Sequence, residues 1–284
     1  MPSFFVSDLH GSVERYRTLF SRIDVERPEA VFIGGDLLPT GGMASIGRGS
    51  GGFLRDFLFP EFGSVRDSLG SAYPRIFLIL GNDDPRAEES AVFDGTERGL
   101  WEYVHDRRVS FGAHAVYGYA YVPPTPFLLK DWERYDVSRY IDPGAVSPEE
   151  GRRTVPLSER DARLSTIRED LERIAGDEDL ANAIFLFHTP PYRTNLDRAA
   201  LDGRSVDHVP LDVHVGSIAV RRFIADRQPL VTLHGHVHES ARLTGSWRDS
   251  IGSTVLLGGA HDGPELALVR FDPDDPEGAE MELL

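Results

Sequence analysis

The sequence predicts an α/β fold in which two β-sheets form a sandwich flanked by helices. Five short apolar runs have the continuous hydrophobicity of strands covered on both faces, and they occupy residues 4–6, 30–33, 76–80, 184–187 and 230–233. Segments with the periodicity of amphipathic helices lie between these runs. Alternation of strands and helices along a chain is typical of α/β architectures, in which helices cover the faces of the sheets.

The spacing of apolar residues predicts helices after the first strand and before the fourth. One face of the earlier helix carries Val13, Tyr16, Leu19, Phe20 and Ile23. One face of the later helix carries Leu164, Ile167, Leu171 and Ile174. A further helix before the fifth strand should be capped by Ser217, run to about Ala225 and end before Pro229.

The remaining segments are expected to complete a single domain over residues 1–284. Residues 254–257 and 265–271 have the composition of closing strands joined by a glycine-rich turn. The acidic tail from about residue 272 contains proline and glycine and is expected to be loose.

Two insertions interrupt the strand–helix pattern, at about residues 39–75 and 121–156. The first begins with a glycine-rich stretch, residues 39–52, which directly follows a strand and predicts a mobile rim loop. The second is expected to be ordered although irregular, because its aromatic side chains seek burial. These aromatic residues are Trp132, Tyr135 and Tyr140.

The composition excludes several classes of protein. Among the 284 residues there is no cysteine, which excludes disulfides, zinc ribbons and thiol catalysis. The net charge of −16 argues against a nucleic-acid partner, which requires a basic surface. No apolar run approaches the ~20 residues of a membrane span. Residues 1–10 lack the basic start and cleavage site of a signal peptide, so a cytoplasmic location is expected.

Each of the five apolar runs ends in residues that can bind a metal ion. The sequences at these ends are Asp8-Leu9-His10, Gly34-Gly35-Asp36, Gly81-Asn82-Asp83-Asp84, His188-Thr189-Pro190-Pro191 and His234-Gly235-His236-Val237-His238. Sites in open α/β sheets form outside the carboxyl ends of the strands, so these side chains are expected to meet. Each piece alone is common by chance, whereas the ordered set predicts a metal site.

The ligand types indicate which metals would bind. Carboxylate, imidazole and amide groups together suit Mn, Fe, Zn, Co or Ni, with manganese favoured, and contain too much nitrogen for calcium. Two four-ligand sites need eight ligand positions, which seven residues supply if one aspartate bridges. Two ions ~3.5–4 Å apart can share a hydroxide nucleophile and clamp the oxygens of a phosphate group.

The order Asp-x-His, Gly-Asp, Gly-Asn, His and Gly-His-x-His, from Asp8 to His238, resembles the calcineurin-like metallophosphoesterase superfamily. The resemblance implies hydrolysis of a small phosphodiester or phosphomonoester by a metal-bridging hydroxide. It further implies that Asp36 bridges two ions. The ligands of one ion would be Asp8, His10, Asp36 and His238. The ligands of the other would be Asp36, Asn82, His188 and His236.

One position departs from the family pattern. Many members have a histidine directly after the asparagine of Gly-Asn, and this chain has Asp83 there. With a reference pKa of ~3.9, an aspartate is a poor general acid at neutral pH unless burial raises its pKa, which favours a diester with a good leaving group. Asp84 matches an acidic position of the family and is expected to orient its neighbours. The resemblance thus gives three catalytic candidates, Asp83, Asp84 and His188.

Other residues are candidates for contacts with the substrate or for the place of the absent acid. Arg48 and Arg193 could reach a substrate phosphate, although solvated loop positions are the more ordinary interpretation. The histidines that could replace the acid are His208, His214 and His261, and His234 is expected either to support a metal ligand or to be structural. An alternative function is a partner-binding scaffold that keeps the fold with little activity. The complete set of metal ligands speaks against that alternative.

Overall fold

The computed structural model of the chain describes residues 2–39 and 52–284. The glycine-rich loop predicted at residues 39–52 lies, apart from its two end residues, outside this part of the chain, and so does Arg48. Within the described residues, the first strands are β1 (Ser3–Val6), β2 (Ala30–Gly34), β3 (Arg75–Ile79), β4 (Glu102–Tyr103), β5 (Arg107–Phe111), β6 (His114–Tyr119) and β7 (Ala183–Phe187). The later strands are β8 (Ser205–Val206), β9 (Val209–Pro210), β10 (Val231–His234), β11 (Arg248–Ile251), β12 (Thr254–Gly258), β13 (Ala267–Asp272) and β14 (Asp275–Leu283).

The described strands form two six-stranded sheets and one small hairpin. The first sheet has the order β14-β13-β1-β2-β3-β4, and the second has the order β11-β12-β10-β7-β6-β5. Strands β1, β2 and β3 are parallel to one another, as are β7 and β10 in the second sheet. The five predicted strands are therefore all present at the centres of the sheets, where both faces are covered.

The inner faces of the two sheets pack on each other through aromatic rings. Phe32 in β2 stacks on Phe77 in β3 with ring centroids 5.1 Å apart. Both rings contact Phe111 of the other sheet, at 6.2 Å and 5.6 Å between centroids. Such pairs bury large apolar areas in a fixed geometry and hold the sheets in register. The predicted sandwich of two sheets flanked by helices is thereby confirmed.

The described helices of regular α type are α1 (Val13–Glu26), α2 (Phe59–Leu69), α3 (Glu89–Glu97), α4 (Glu159–Leu164), α5 (Ile167–Ala175), α6 (Ile218–Arg227) and α7 (Ser240–Thr244). Helix α1 buries the predicted face and begins after Ser12, whose Oγ accepts a hydrogen bond from the amide of Arg15. The hydroxyl of Ser217 accepts from the amide of Val220 in the same way and caps α6, as predicted. These caps fix where each helix leaves the edge of its sheet.

Two expectations from the sequence were wrong. Residues 164–174 do not form one helix, because Thr166 caps a new helix and leaves Leu164 exposed at the end of α4. The acidic tail is not loose, since it forms β14 and pairs antiparallel with β13.

The described part of the first insertion is mostly helical, with a π-helical segment at Phe53–Leu58 followed by α2. No helix in the described ranges is long and apolar enough to cross a membrane.

The second insertion, residues 121–156, is irregular but anchored in the core. Its Trp132 is fully buried, and its Tyr135 is buried as expected, whereas Tyr140 is exposed. Lys130 and Glu133 form a buried ion pair, and the hydroxyl of Thr125 donates to the same carboxylate at 2.6 Å. A buried ion pair with further hydrogen bonds fixes a segment in place, because separating the pair would leave an uncompensated charge in the protein interior. The insertion therefore presents a fixed surface beside the strand ends.

Candidate metal centre

The loops at the carboxyl ends of the central strands have unusual backbone conformations. Asp8, His10, Asp36 and His236 all have positive φ angles, of 56°, 46°, 52° and 75°. This conformation is uncommon for residues other than glycine, and it concentrates at functional sites, where the surrounding structure compensates for the strain. Here the amide of His10 donates to the carbonyl of Asp36 at 2.8 Å and joins the first two loops. The backbone thus turns four candidate side chains toward one another.

The first group of candidate ligands consists of Asp8, His10, Asp36 and His238. Each residue offers one ligand atom, and these four atoms lie within 4.8 Å of one another. The Nε2 atom of His238 is 3.1 Å from Nε2 of His10 and 3.2 Å from Oδ1 of Asp8. Two imidazole nitrogens that face each other beside a carboxylate have the arrangement of ligands around a cation.

The second group of candidate ligands consists of Asn82, His188 and His236 and also lies next to Asp36. The Nε2 atom of His188 is 3.0 Å from Oδ1 of Asn82 and 3.3 Å from Oδ2 of Asp36. The ring of His236 is 5.2 Å from that of His188 between centroids. The structure therefore brings all the sequence-predicted ligand residues to one edge of the sandwich.

His188 is oriented by the chain itself. Its Nδ1 is 2.8 Å from the carbonyl oxygen of Gly34, which can only accept a hydrogen bond, so Nδ1 carries a proton. In the neutral ring Nε2 then has a free lone pair, as a metal ligand requires. Gly35 and Gly81 let the loops approach this ring, since a Cβ at either position would lie 2.7 Å from it.

The charges in the cluster are strongly coupled. Burial opposes ionisation of Asp8 and Asp36, yet the neighbouring histidines hold the pKa of both carboxyl groups below its usual value. Although burial acts against it, the carboxylates raise the pKa of His188 to about 10 and that of His238 to about 9. The pocket thus stabilises positive charge among its carboxylates, which is the charge that bound cations bring.

The donor set fits divalent metal ions. It combines carboxylate oxygens, imidazole nitrogens and one amide oxygen, all convergent and mostly buried. Nδ1 of His10 is buried and has no hydrogen-bond partner in the described part of the chain. Nitrogen and oxygen donors of this kind suit Mn, Fe, Zn, Co or Ni, and the convergence of two groups on Asp36 suits a shared ligand.

Asp84 joins the loops that follow β2 and β3. Its carboxylate accepts from the amides of Leu37, Leu38 and Gly81 at 3.1, 2.8 and 2.9 Å. Burial and the nearby Asp36 raise the pKa of Asp84 to about 7, against the effect of these amides. Asp84 contacts backbone rather than open solvent, so its place in the structure is that of a positioning residue.

Asp83 lies at the more open side of the cluster, with 36% of its side chain exposed. Its amide donates to Oδ1 of Asp36 at 2.8 Å, and its own Oδ1 accepts from the amide group of Asn82 at 3.0 Å. Burial and the charge of Asp36 raise the pKa of Asp83 to about 6. The side chain therefore sits next to both a bridging candidate and a ligand candidate.

The remaining histidine candidates form no hydrogen bond with a candidate metal ligand in the described part of the chain. The ring of the buried His234 forms hydrogen bonds with the carbonyl of Thr189 at 2.9 Å and with the hydroxyl of Thr232 at 2.7 Å, which is the environment of a structural histidine. Nδ1 of His214 is 2.8 Å from Oδ1 of Asp197, and Nε2 of His261 is 3.0 Å from Oε2 of Glu265. His208 is exposed at the turn between β8 and β9.

The other loop candidate, Arg193, is exposed and positioned by its neighbours. Its guanidinium lies 5.2 Å from the ring centroid of Tyr192, and its backbone amide donates to Asp197 at 2.8 Å. These contacts agree with the ordinary interpretation of a solvated loop residue. They do not bring Arg193 into the cluster of candidate metal ligands.

Two supporting residues were missed at the sequence level. Nε1 of Trp132 donates to the carbonyl of Asp84 at 2.9 Å and so supports the loop after β3 from the second insertion. The guanidinium of Arg15 donates to the carbonyl of Asp8 at 2.7 Å. The predicted burial of aromatic residues in the insertion was a signal for Trp132, but its partner is 48 residues away and had no local signature.

Comparison with known proteins agrees with this geometry. No curated protein matches the chain in sequence. One crystal structure has a TM-score of 0.58 at 16% identity, covering 100% of this chain and 98% of that chain. The crystal structure of TT1561 of Thermus thermophilus has a TM-score of 0.53 at 16% identity, covering 99% of this chain and 98% of that chain. At this identity the two similarities concern the fold.

The family model gives the identification. The model of the calcineurin-like phosphoesterases matches residues 1–240 of the 284-residue chain. The matched region contains every candidate ligand from Asp8 to His238. The chain therefore belongs to the calcineurin-like phosphoesterase family and is a metal-dependent phosphoester hydrolase.

Proposed function

We propose that this phosphoesterase hydrolyses a small phosphodiester or phosphomonoester at a centre of two divalent metal ions, with manganese favoured. The observation that carries the proposal is the convergence of two ligand groups on one carboxylate. Oδ2 of Asp36 is 3.8 Å from Nε2 of His10 and 3.3 Å from Nε2 of His188. The proposed ligands are Asp8, His10, Asp36, Asn82, His188, His236 and His238.

In this proposal each part of the site has a separate task. Asp8, His10 and His238 would hold one ion together with Asp36, and the remaining three ligands would hold the other. When bound, two divalent ions supply a water of lowered pKa for attack on phosphorus and neutralise charge on the phosphate oxygens. The chain positions this chemistry through Asp84, which clamps two of the ligand-bearing loops.

The preference for a diester rests on Asp83. This carboxylate lies 3.9 Å from Nδ1 of His10 and accepts from Asn82, at the place where many relatives carry a histidine. Burial and the charge of Asp36 raise its pKa to about 6, so at neutral pH the group is still mostly ionised and then has no proton to give to a leaving oxygen. Substrates whose leaving group departs as a stable anion should therefore react faster. The net charge of −16 further favours small substrates over nucleic acid.

A partner-binding scaffold is the weaker alternative. Scaffolds that have lost catalysis no longer need strained backbone at the former site, because the strain costs stability. In this chain Asp8, His10, Asp36 and His236 have positive φ angles. All seven proposed ligand residues are present. The retained strain supports an active centre.

The proposal is tested with a matched pair of histidine variants. His238→Gln removes a proposed ligand, whereas His208→Gln removes an exposed histidine of the β8–β9 turn. The proposal predicts that the first variant loses metal content and hydrolysis of bis(p-nitrophenyl) phosphate, and that the second retains both. Equal metal content and equal rates in both variants would refute the assigned centre.

A further inference from the structure

A cavity of about 260 Å³ lies where β4, β5 and β6 meet helices α3 and α5. Its buried floor is formed by His105, Tyr119 and Tyr121. None of the seven proposed metal ligands, all within the described part of the chain, lines this cavity. Its volume is slightly below the ~300–1,000 Å³ of pockets for drug-sized ligands, so it suits a smaller molecule.

The cavity is positively charged in an otherwise acidic protein. Its lining contains four arginines and three carboxylates, a local balance of +1 in a chain of net charge −16. The arginines are Arg86, Arg107, Arg134 and Arg173. A concave site of opposite sign to the rest of the surface concentrates anions.

Two of the arginines donate hydrogen bonds to the same acceptor. The guanidinium groups of Arg86 and Arg134 donate to the hydroxyl oxygen of Tyr121 at 2.9 Å and 3.1 Å. Arg134 also lies over the ring of Tyr121, 4.0 Å from its centroid. This arrangement holds two guanidinium groups close together at the floor of the cavity. The side-chain entropy cost of ordering them is therefore met before any ligand binds.

Arg107 differs from the other arginines of the cavity. Arg86, Arg134 and Arg173 each pair with a carboxylate, whereas Arg107 forms no ion pair with any described residue. Its guanidinium instead lies 5.1 Å from the ring centroid of Phe93. Stacking restricts the guanidinium but leaves its N–H donors available, which suits bidentate binding of an oxyanion.

His105 adds a neutral donor. Its Nδ1 accepts from the amide of Ala120 at 3.1 Å, so the hydrogen of the neutral ring is on Nε2. Burial and the surrounding arginines lower the pKa of His105 to about 3, which keeps the ring neutral at physiological pH. Phe93 and Tyr103 add aromatic surface to the lining. The cavity thus combines oxyanion donors with walls for a planar group.

We propose that this cavity is a second binding site, for a small aromatic molecule that carries a carboxylate or phosphate group, with Arg107 as the principal contact to the anion. The proposal concerns a site apart from the metal centre and does not depend on the substrate assigned there. The more ordinary role of such charges is to protect β5, the edge strand of its sheet, from pairing with other chains.

The test uses a matched pair of variants in one strand. Arg107→Gln and Arg108→Gln remove the same charge from adjacent exposed positions of β5. Arg108 does not line the cavity, and its Nε donates to the hydroxyl of Tyr117 at 3.1 Å. Alternation along a strand directs the two side chains to opposite faces. Because both positions are exposed, both variants are expected to fold, which far-UV circular dichroism checks.

Binding of benzoate and of phenylphosphonate to the metal-loaded full chain is measured by calorimetry. We expect Arg107→Gln to weaken binding at the cavity by about tenfold or more, the loss of a charge-assisted hydrogen bond, while Arg108→Gln leaves it unchanged. Inhibition of diester hydrolysis by phenylphosphonate reports the metal centre separately and should be equal in both variants. Identical calorimetric affinities in the two variants, or no binding beyond that at the metal centre, would overturn the proposal.

Discussion

Oδ2 of Asp36 lies 3.3 Å from Nε2 of His188, and the same oxygen is 3.8 Å from Nε2 of His10. A single carboxylate oxygen thus lies close to one histidine of each group of candidate ligands. We expect Asp36→Asn to lose metal at both sites and nearly all hydrolysis, because the amide cannot bridge two cations. Metal content by elemental analysis and the diester rate check this outcome.

A single-site variant provides the comparison for Asp36. His10→Gln removes a ligand from one group only, so it should reduce metal content by less than Asp36→Asn does. If Asp36→Asn kept one ion fully bound and a rate within a few-fold of the unmodified enzyme, Asp36 would not be the bridge.

Asp84 should matter for stability as well as for metal binding. Asp84→Asn replaces one acceptor oxygen by an NH₂ group that faces backbone amides, which leaves buried donors unsatisfied. We expect a loss of about 1–3 kcal/mol in the free energy of unfolding, with weaker metal binding. Denaturant unfolding measures this, and Asp67→Asn, whose side chain is 75% exposed, is the control. Equal stability of the two variants would contradict the proposed role of Asp84 in joining the two loops.

The leaving-group step should depend on Asp83. If this carboxylate gives no proton to the leaving oxygen, aryl esters should react far faster than alkyl esters, since general acid help is worth ~10²–10⁴-fold. Asp83→His should reduce that dependence, provided that metal binding survives loss of the contact with Asn82. Rates for a series of esters at saturating metal decide the question. Unmodified enzyme that is insensitive to leaving-group pKa, with chemistry rate-limiting, would contradict the prediction.

His105 should make stability depend on pH. Burial, and then the arginines, lower its pKa from 6.5 to about 3 in the folded protein. The unfolded chain therefore binds the extra proton first, and stability falls as the pH drops below about 6.5. Between pH 7 and pH 5 we expect the unmodified protein to lose about 2 kcal/mol more than His105→Gln, whose amide can still accept from Ala120. Parallel stability curves for the two proteins would contradict this.

The central strands could be predicted from the sequence because their residues are apolar without interruption. Each of these strands is covered on both faces, so its amino-acid composition alone predicts a buried strand. The edge strands lack such an apolar run, since β5 begins with Arg107-Arg108 and four of the nine residues of β14 are acidic. Their pairing depends on neighbours that are distant in sequence. Leu164 was assigned to the wrong helix because the cap at Thr166 interrupts an otherwise continuous apolar spacing.

The candidate ligands could be predicted for a related reason. They follow buried strands directly, so the topology of a parallel sheet brings them to one edge. The contact between Trp132 and Asp84, and the cavity lined by Arg107 and His105, depend instead on the path of the second insertion and on the order of strands in the second sheet. No local pattern encodes these relationships.

The number of metal ions needed for activity tests the central claim most directly. Protein stripped of metal by exhaustive chelation is titrated with manganese, and hydrolysis of bis(p-nitrophenyl) phosphate is followed at each step. The two-ion centre predicts no hydrolysis by the stripped protein and a rate that reaches its maximum at two equivalents of metal per chain. Full activity in the stripped protein, or a maximum at one equivalent, would contradict it.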